Sequence, residues 1–498
     1  MPSSLKTKTA RSLKWNIIDK VSTQVLYAVT GIVLARELSQ EDFGLVGAVL
    51  VFQAFASLLV DSGFSSALLQ RRRPSRLDYS TVLWFNLGVA AVLYVAVWFA
   101  APLIAAIFQG DERLIPLTRA MFIALPLNAA AIVQTNRLMK AMDVRMVAVS
   151  NSLGLATGGA VGISLAISGF GAWAIVAQTI TLAAMKDIVL WTSSRWRPVM
   201  RFSGASLRSF FGLGSKMMFS SFLNTVFQNL YSFFIGNRVS LTALGYYTQS
   251  DKWSRMGTAS LSQVLTSSFV PALAAVQNDA DRYRRLASKM TRFTAYLLFP
   301  AMIWLATAAK PLFHALFGTK WDPSVFLFQL LLMRGIFVVL NSLASNFLLG
   351  LGHGSDIVRQ EVLRDVLAVA ALAVTFPYMA LSTDADPVAG VAIMLWGQVI
   401  ATVLTWVYTT VVTLRRVGLE VAVYIRDIAP YFCLTAVTVP CMLMGGAAAA
   451  SPWLKLIIEG AVGLTIYMGI NYALGSAVQR EVLAYLKSAF SKSSIKKA

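Results

Sequence analysis

The feature that most constrains this chain is the serial recurrence of apolar stretches, each long enough to cross a lipid bilayer. A membrane-spanning helix needs about 20 consecutive apolar residues. Such stretches lie at residues 12–36, 43–69, 80–108, 112–136, 146–168 and 172–193, then at 213–237, 243–275, 292–316, 324–349, 356–381 and 387–413, and last at 424–446 and 453–475. Only 13% of the 498 residues are charged, about half of what a soluble chain carries. Water-soluble domains are thereby excluded. The expected fold is an all-α polytopic membrane protein with about 14 transmembrane helices and no sizeable extramembrane domain.

The net charge of +20 would suggest nucleic acid in a soluble protein, but here the placement of the charges decides otherwise. Aromatic residues sit inside apolar runs and not beside Lys and Arg on a solvated face, so nucleic acid is not an expected partner. With the N-terminus in the cytoplasm, thirty-two basic residues fall on the inner side, and four, Arg113, Arg238, Lys320 and Lys455, fall on the outer side. The positive-inside rule therefore places both termini in the cytoplasm, and the basic surface faces an anionic leaflet. The basic start (Lys6, Lys8, Arg11, Lys14) resembles a signal peptide. Asp19 and Lys20 in the run that follows, and the lack of an evident cleavage site, mark it as a retained first helix. Cys433 and Cys441 are about 12 Å apart along one helix, too far for a disulfide. His314 and His353 stand apart from both, so no metal cluster and no cofactor is expected.

The apolar series reads as two sets of six with two extra helices. Ser39, Phe43 and Gly44 align with Ser240, Leu244 and Gly245 at an offset of 201 residues, each time between the first and second helix of a set. Six is even, so the sets share an orientation and would be related by an axis along the membrane normal. The expected divisions are an N-terminal lobe at 1–197, an interfacial linker helix at 198–212, a second lobe at 213–415, two additional helices at 416–475 and a cytoplasmic amphipathic tail at 476–498. In the linker, Val199, Met200, Phe202, Leu207, Phe210 and Phe211 alternate with Arg201 and Arg208, as in a helix lying on a leaflet. The tail carries a stripe of Val478, Val482, Leu483, Leu486 and Phe490.

The runs ARELSQEDFGLVGAVLVFQAFASLLVDSGFSSALLQRRR (35–73), TVLWFNLG (81–88), GFGAWAIVAQ (169–178), RWRPVMRFS (195–203), ALGYYTQSDKW (243–253), SFVPALAAVQND (268–279) and LFGTKWDP (316–323) together resemble the Wzx-type polysaccharide flippases. The similarity is to the colanic acid and succinoglycan exporter branch of the superfamily that also holds multidrug efflux and lipid II flippases. It spans roughly residues 10–380 and leaves the last two helices unmatched. It implies a polyprenyl-pyrophosphate-linked oligosaccharide moved from the inner to the outer leaflet of the bacterial inner membrane by two rocking lobes, in alternating access. It also implies membrane lipids and polysaccharide polymerase or export machinery as partners.

Ionisable residues inside hydrocarbon are functional candidates by default. Lys20 and Asp61 lie at matching depth and are expected either to pair or to face one wet cavity. Asp61 sits at an acidic position typical of the resembled family. Asp251 and Arg255 are spaced to pair along one helix face, leaving Lys252 without an obvious local partner. Arg334 is similarly deep, and Arg119 lies nearer the outer end of its helix. A cavity lined by Lys20, Lys252, Arg255 and Arg334, with Arg119 above, would attract a pyrophosphate, since Arg offers a forked donor set and Lys a point charge. Structural ion pairs between helices would account for the same residues singly. Asp19, Asp61 and Asp251 are the candidate coupling carboxylates, with Glu459 a fourth. No Gly-Lys-Ser/Thr phosphate loop occurs, so ATP hydrolysis is not expected, nor is any catalytic residue. The alternative on the same scaffold is an ion-coupled multidrug or small-metabolite antiporter, which would favour carboxylates over cations in its cavity.

Overall fold

The computed structural model describes residues 5–61, 63–194, 196–383 and 385–484. In chain order the helices are α1 (Leu5–Glu37), α2 (Gln40–Asp61), α3 (Phe64–Gln70), α4 (Arg76–Ile107), α5 (Leu114–Met121), α6 (Ala124–Lys140), α7 (Val144–Ile167), α8 (Trp173–Ser193) and α9 (Gly204–Arg238). They continue with α10 (Leu241–Ala274), α11 (Ala280–Thr307), α12 (Ala309–Leu316), α13 (Asp322–Gly350), α14 (Gly354–Thr375), α15 (Ala389–Val417), α16 (Val421–Ala447) and α17 (Pro452–Ala473). The described residues contain no strand, as hydrocarbon requires of a chain that must satisfy its backbone internally. Among the described residues eleven spans are long and apolar enough to cross a membrane, or twelve with the bent pair α11–α12. The helices α9 and α10 fall short, so the count of 14 is not reached on length and hydropathy. Large apolar side chains face outward, such as Val92 at 69% and Phe99 at 77% exposure on α4. That suits a lipid surround and not water.

Several expected helices are broken or extended. The second run stops at Asp61 and restarts at Phe64, where Gly63 adopts a left-handed backbone (φ 68°) and a Cβ would lie 2.3 Å from the Gly214 carbonyl oxygen of α9. The fourth run splits into α5 and α6. The ninth begins at Ala280, twelve residues earlier than the apolar pattern suggested, because the Asp279 side chain caps it by accepting from the Arg282 N–H at 3.0 Å. It then bends by 65° into α12. Residues 204–212, expected as a separate interfacial helix, are the first turns of α9, capped by Ser203.

The chain divides into two compact units, residues 1–248 and 249–498. In the first, α7 packs along both α1 and α8. Small residues permit this. A Cβ at Gly154 or Gly158 would lie 2.9 or 2.7 Å from a carbonyl oxygen of α8, and one at Gly159 would lie 2.6 Å from Thr30 Oγ1 of α1. The helix α9 packs on α2, α3 and α4. At the start of α4, buried Asp78 forms a capping box with Ser75 and also accepts from Ser206 of α9 at 2.8 Å and Arg71 at 3.2 Å. Lys140 Nζ donates to the Leu68 and Leu69 carbonyls at 3.1 and 2.8 Å, placing a cation at the negative end of α3. In the loop after α4, Arg113 binds Asp111 and Glu41. Its guanidinium holds the Asp111 carboxyl below the usual carboxylate range.

In the second unit α11 packs on α13 and α16, α13 on α15, α15 on α14, and α17 on α16 and α12. The last pair is tied to α11 by Trp304 Nε1 donating to Thr438 Oγ1 at 2.8 Å and by the Tyr467 hydroxyl donating to the Tyr296 carbonyl at 3.0 Å. Buried Asp427 of α16 accepts from Ser288 and lies 3.6 Å from Arg292, both on α11. A further helical run begins at residue 477, where Val478 is buried and Glu481 pairs with Lys289 at 2.8 Å. The rest of the expected tail stripe, Leu486 and Phe490, lies outside the described residues.

Candidate functional site

In the first unit the expected Lys20–Asp61 ion pair does not form. The cause is the route of α1, which follows α7 and not α2, and leaves Lys20 exposed. Asp61, at the break between α2 and α3, accepts instead from the Ser65 hydroxyl, which in turn accepts from Asn136 Nδ2 of α6 at 2.8 Å. The carboxylate thus ends a short polar chain across three helices. Asp19 lies on the α7 side of α1, where Asn151 Nδ2 donates to its two oxygens at 3.3 and 3.4 Å and Ser22 meets Ser152 at 2.9 Å. Lys186 of α8 is within electrostatic reach of Asp19. Arg119 turns toward α4, donating to the Trp98 carbonyl at 3.2 Å with its guanidinium 4.7 Å from the Trp98 ring centroid.

The second unit holds Asp251, Lys252, Arg255 and Arg334. Arg255 and Asp251 form the expected pair at 2.7 Å. Lys252 is not left bare, because its ammonium stands 5.4 Å from the centroid of Trp253, whose ring packs on Phe317. Arg334 on α13 adjoins Gly335, where a Cβ would lie 2.3 Å from Thr258 Cγ2 of α10. Arg334 and Arg255 therefore occupy neighbouring turns of two touching helices, with Lys252 one turn further. Three cations and one carboxylate make this stretch positive. Lys20 and Arg119 belong to the other unit.

The second unit also forms an open-sided apolar cavity of about 670 Å³ between α11, α13, α15 and α16. Its walls include Phe299, Met333, Ile336, Trp406 and Phe432. Gln329 and Thr307 also line it, donating to the Ala306 and Ile303 carbonyls at 2.9 and 2.8 Å. No ionisable side chain contributes to the wall. Such a surface takes up hydrocarbon and rejects charge. Sequence reading missed this cavity, because an apolar residue facing a cavity and one facing lipid or core carry the same signal.

Among the described residues no group of three or more His, Cys, Asp or Glu is placed to hold a metal ion. The cysteines Cys433 and Cys441 are free thiols.

A family model described as polysaccharide biosynthesis protein matches residues 33–326, more than half of the chain. The succinoglycan biosynthesis transport protein ExoT of Rhizobium meliloti is 27% identical over 376 residues, 75% of this chain and 76% of the relative. The lipopolysaccharide biosynthesis protein WzxC of Escherichia coli is 26% identical over 67% of this chain and 68% of its own. Among solved structures, the lipid II flippase MurJ in an inward closed conformation matches with a TM-score of 0.72 at 13% identity, covering 95% of this chain and all of that one. An inward-facing multidrug resistance MATE family transporter matches with a TM-score of 0.60 at 14% identity, over 80% of this chain and 98% of the other. At these identities the structural likenesses speak for the fold alone.

Proposed function

The chain belongs to the polysaccharide biosynthesis protein family, and from that premise we propose that it is a flippase. It carries a polyprenyl-pyrophosphate-linked oligosaccharide from the inner to the outer leaflet of the bacterial inner membrane, with both termini cytoplasmic. The observation that carries this reading is the 670 Å³ apolar cavity in the second unit, which fits a lipid chain. The names of its relatives, one of succinoglycan biosynthesis transport and one of lipopolysaccharide biosynthesis, support an envelope or exported polysaccharide as the cargo.

The roles follow from the chemistry. Apolar walls receive the polyprenyl chain, gaining about 0.8 kcal/mol per buried methylene. Lys252, Arg255 and Arg334 hold the pyrophosphate by charge and by forked hydrogen bonds. Lys20 and Arg119 supply positive charge in the first unit. Asp19, Asp61 and Asp251 are coupling candidates, tied respectively to Asn151, Ser65 and Arg255. A polymerase or other export machinery takes up the product on the far side. An ion-coupled drug antiporter would rest its cationic cargo against a carboxylate, and none lines this cavity.

Deletion of the gene in its native host tests the reading. A complete repeat unit on its polyprenyl carrier is expected to accumulate, shielded from reagents applied to the outer face. A truncated repeat unit would point to a transferase, and unchanged lipid-linked sugars would favour the antiporter. Charge reversal of Arg334 or Lys252 to Glu is expected to lower export about tenfold or more, by about 1.4 kcal/mol, with membrane insertion retained. Normal polymer yield from both variants would remove these cations from the mechanism.

A further inference from the structure

Among the described buried carboxyl groups that the proposed function leaves unused, Glu459 differs in having no hydrogen-bond partner. Glu459 lies in the second turn of α17, within the face packed on α16, and its accessible surface is 0%. Neither Oε1 nor Oε2 has a hydrogen-bond partner. The niche is built by glycine. A Cβ on Gly446 of α16 would lie 2.6 Å from Oε1 and 2.7 Å from Cγ of Glu459. Any larger residue at 446 would push the carboxyl out.

The charges around it do not suffice to hold an ionised carboxylate. Lys455, one turn away on the same helix, stands 3.9 Å from Oε1, beyond hydrogen-bonding distance. From α12, Lys310 is exposed and His314 is engaged with Asp322. On α16, Asp427 is occupied by Ser288 and Arg292 many turns away, and the Cys441 thiol faces the Val437 carbonyl at 3.8 Å. A fully buried carboxylate with no protein donor takes up a proton sooner than stay charged.

We propose that Glu459 is a proton-binding site of the α16–α17 pair. Its carboxyl is protonated while the two helices are packed. Loss of that proton would leave a carboxylate whose nearest cation is the Lys455 ammonium, 3.9 Å from Oε1.

The test is infrared difference spectroscopy of the full-length protein in lipid, wild type minus Glu459→Gln, at neutral pH and without substrate. The expected result is loss of one carbonyl stretch of a protonated carboxyl in the variant, with thermal stability unchanged or raised. Loss of carboxylate stretches instead would overturn the proposal, as would a drop in stability traceable to a lost ion pair and matched by Lys455→Met. Should the glutamine variant fail to fold, Glu459→Met supplies the same spectrum with an apolar side chain of similar length. Because no substrate is present, failure of the flippase reading would leave this result standing, and the reverse also holds.

Discussion

Gly245→Ala is expected to lower the stability of the fold by about 3 kcal/mol, and Gly44→Ala to do the same. The two glycines meet across the first turns of α10 and α2. A Cβ on Gly44 would sit 1.8 Å from the Leu241 carbonyl oxygen, and one on Gly245 would sit 1.9 Å from that of Gln40. The obstacle in both cases is backbone, which no rotamer change can move. Overpacking of this kind costs about 3 kcal/mol or more, a large share of a typical stability of about 5–15 kcal/mol. The controls are Gly88→Ala on α4 and Gly460→Ala on α17, where a Cβ meets nothing within 4 Å. Alanine is the better helix former by about 1 kcal/mol, so these variants should equal or exceed the wild type. The measurement is the thermal midpoint and the fraction extracted as monodisperse protein. Equal behaviour of the four variants would refute the close approach.

That contact also explains what the internal alignment detected. Gly44 and Gly245 are the two glycines that coincide at the offset of 201 residues, and the structure places each against the turn that precedes the other. A reciprocal contact of this kind follows from a local two-fold relation between the two helix starts, and it demands glycine in both repeats. A similarity too weak to stand on identity alone thus gains a steric reason.

Helix positions were legible because each apolar run is long and each boundary carries charge or glycine. The breaks were not, since Gly63 and the α5–α6 junction interrupt runs whose hydropathy continues unchanged. The start of α11 was missed for the opposite reason. Its first turns carry Arg282, Arg284, Arg285, Lys289 and Arg292, so they read as loop, whereas Asp279 caps them as helix. At the site, pairs along one helix could be read from spacing, as with Asp251 and Arg255. Partners across helices could not. Depth from an inner boundary matched Lys20 with Asp61, yet depth carries no azimuth, and α1 turns that face elsewhere. Asp19, in the same turn as Lys20, is the residue that meets a neighbouring helix.

The second large effect is expected at the apolar cavity, where Met333→Arg should lower export more than a hundredfold while leaving the protein in the membrane. Met333 is 38% exposed and lines the cavity from α13, so a longer side chain there meets space and not packed core. In the resting protein the guanidinium can draw water into the cavity and keep part of its hydration. A polyprenyl chain entering the cavity would remove that water and press hydrocarbon on the charge. Placing Arg in hydrocarbon costs about 3 kcal/mol, which converts to a factor above one hundred. Met333→Leu keeps the wall apolar and should export normally. The readouts are polymer yield, the amount of lipid-linked repeat unit retained on the inner side, and protein level in the membrane. Wild-type export from Met333→Arg at normal protein level would mean that the lipid chain travels elsewhere, and the flippase reading would lose the observation that carries it.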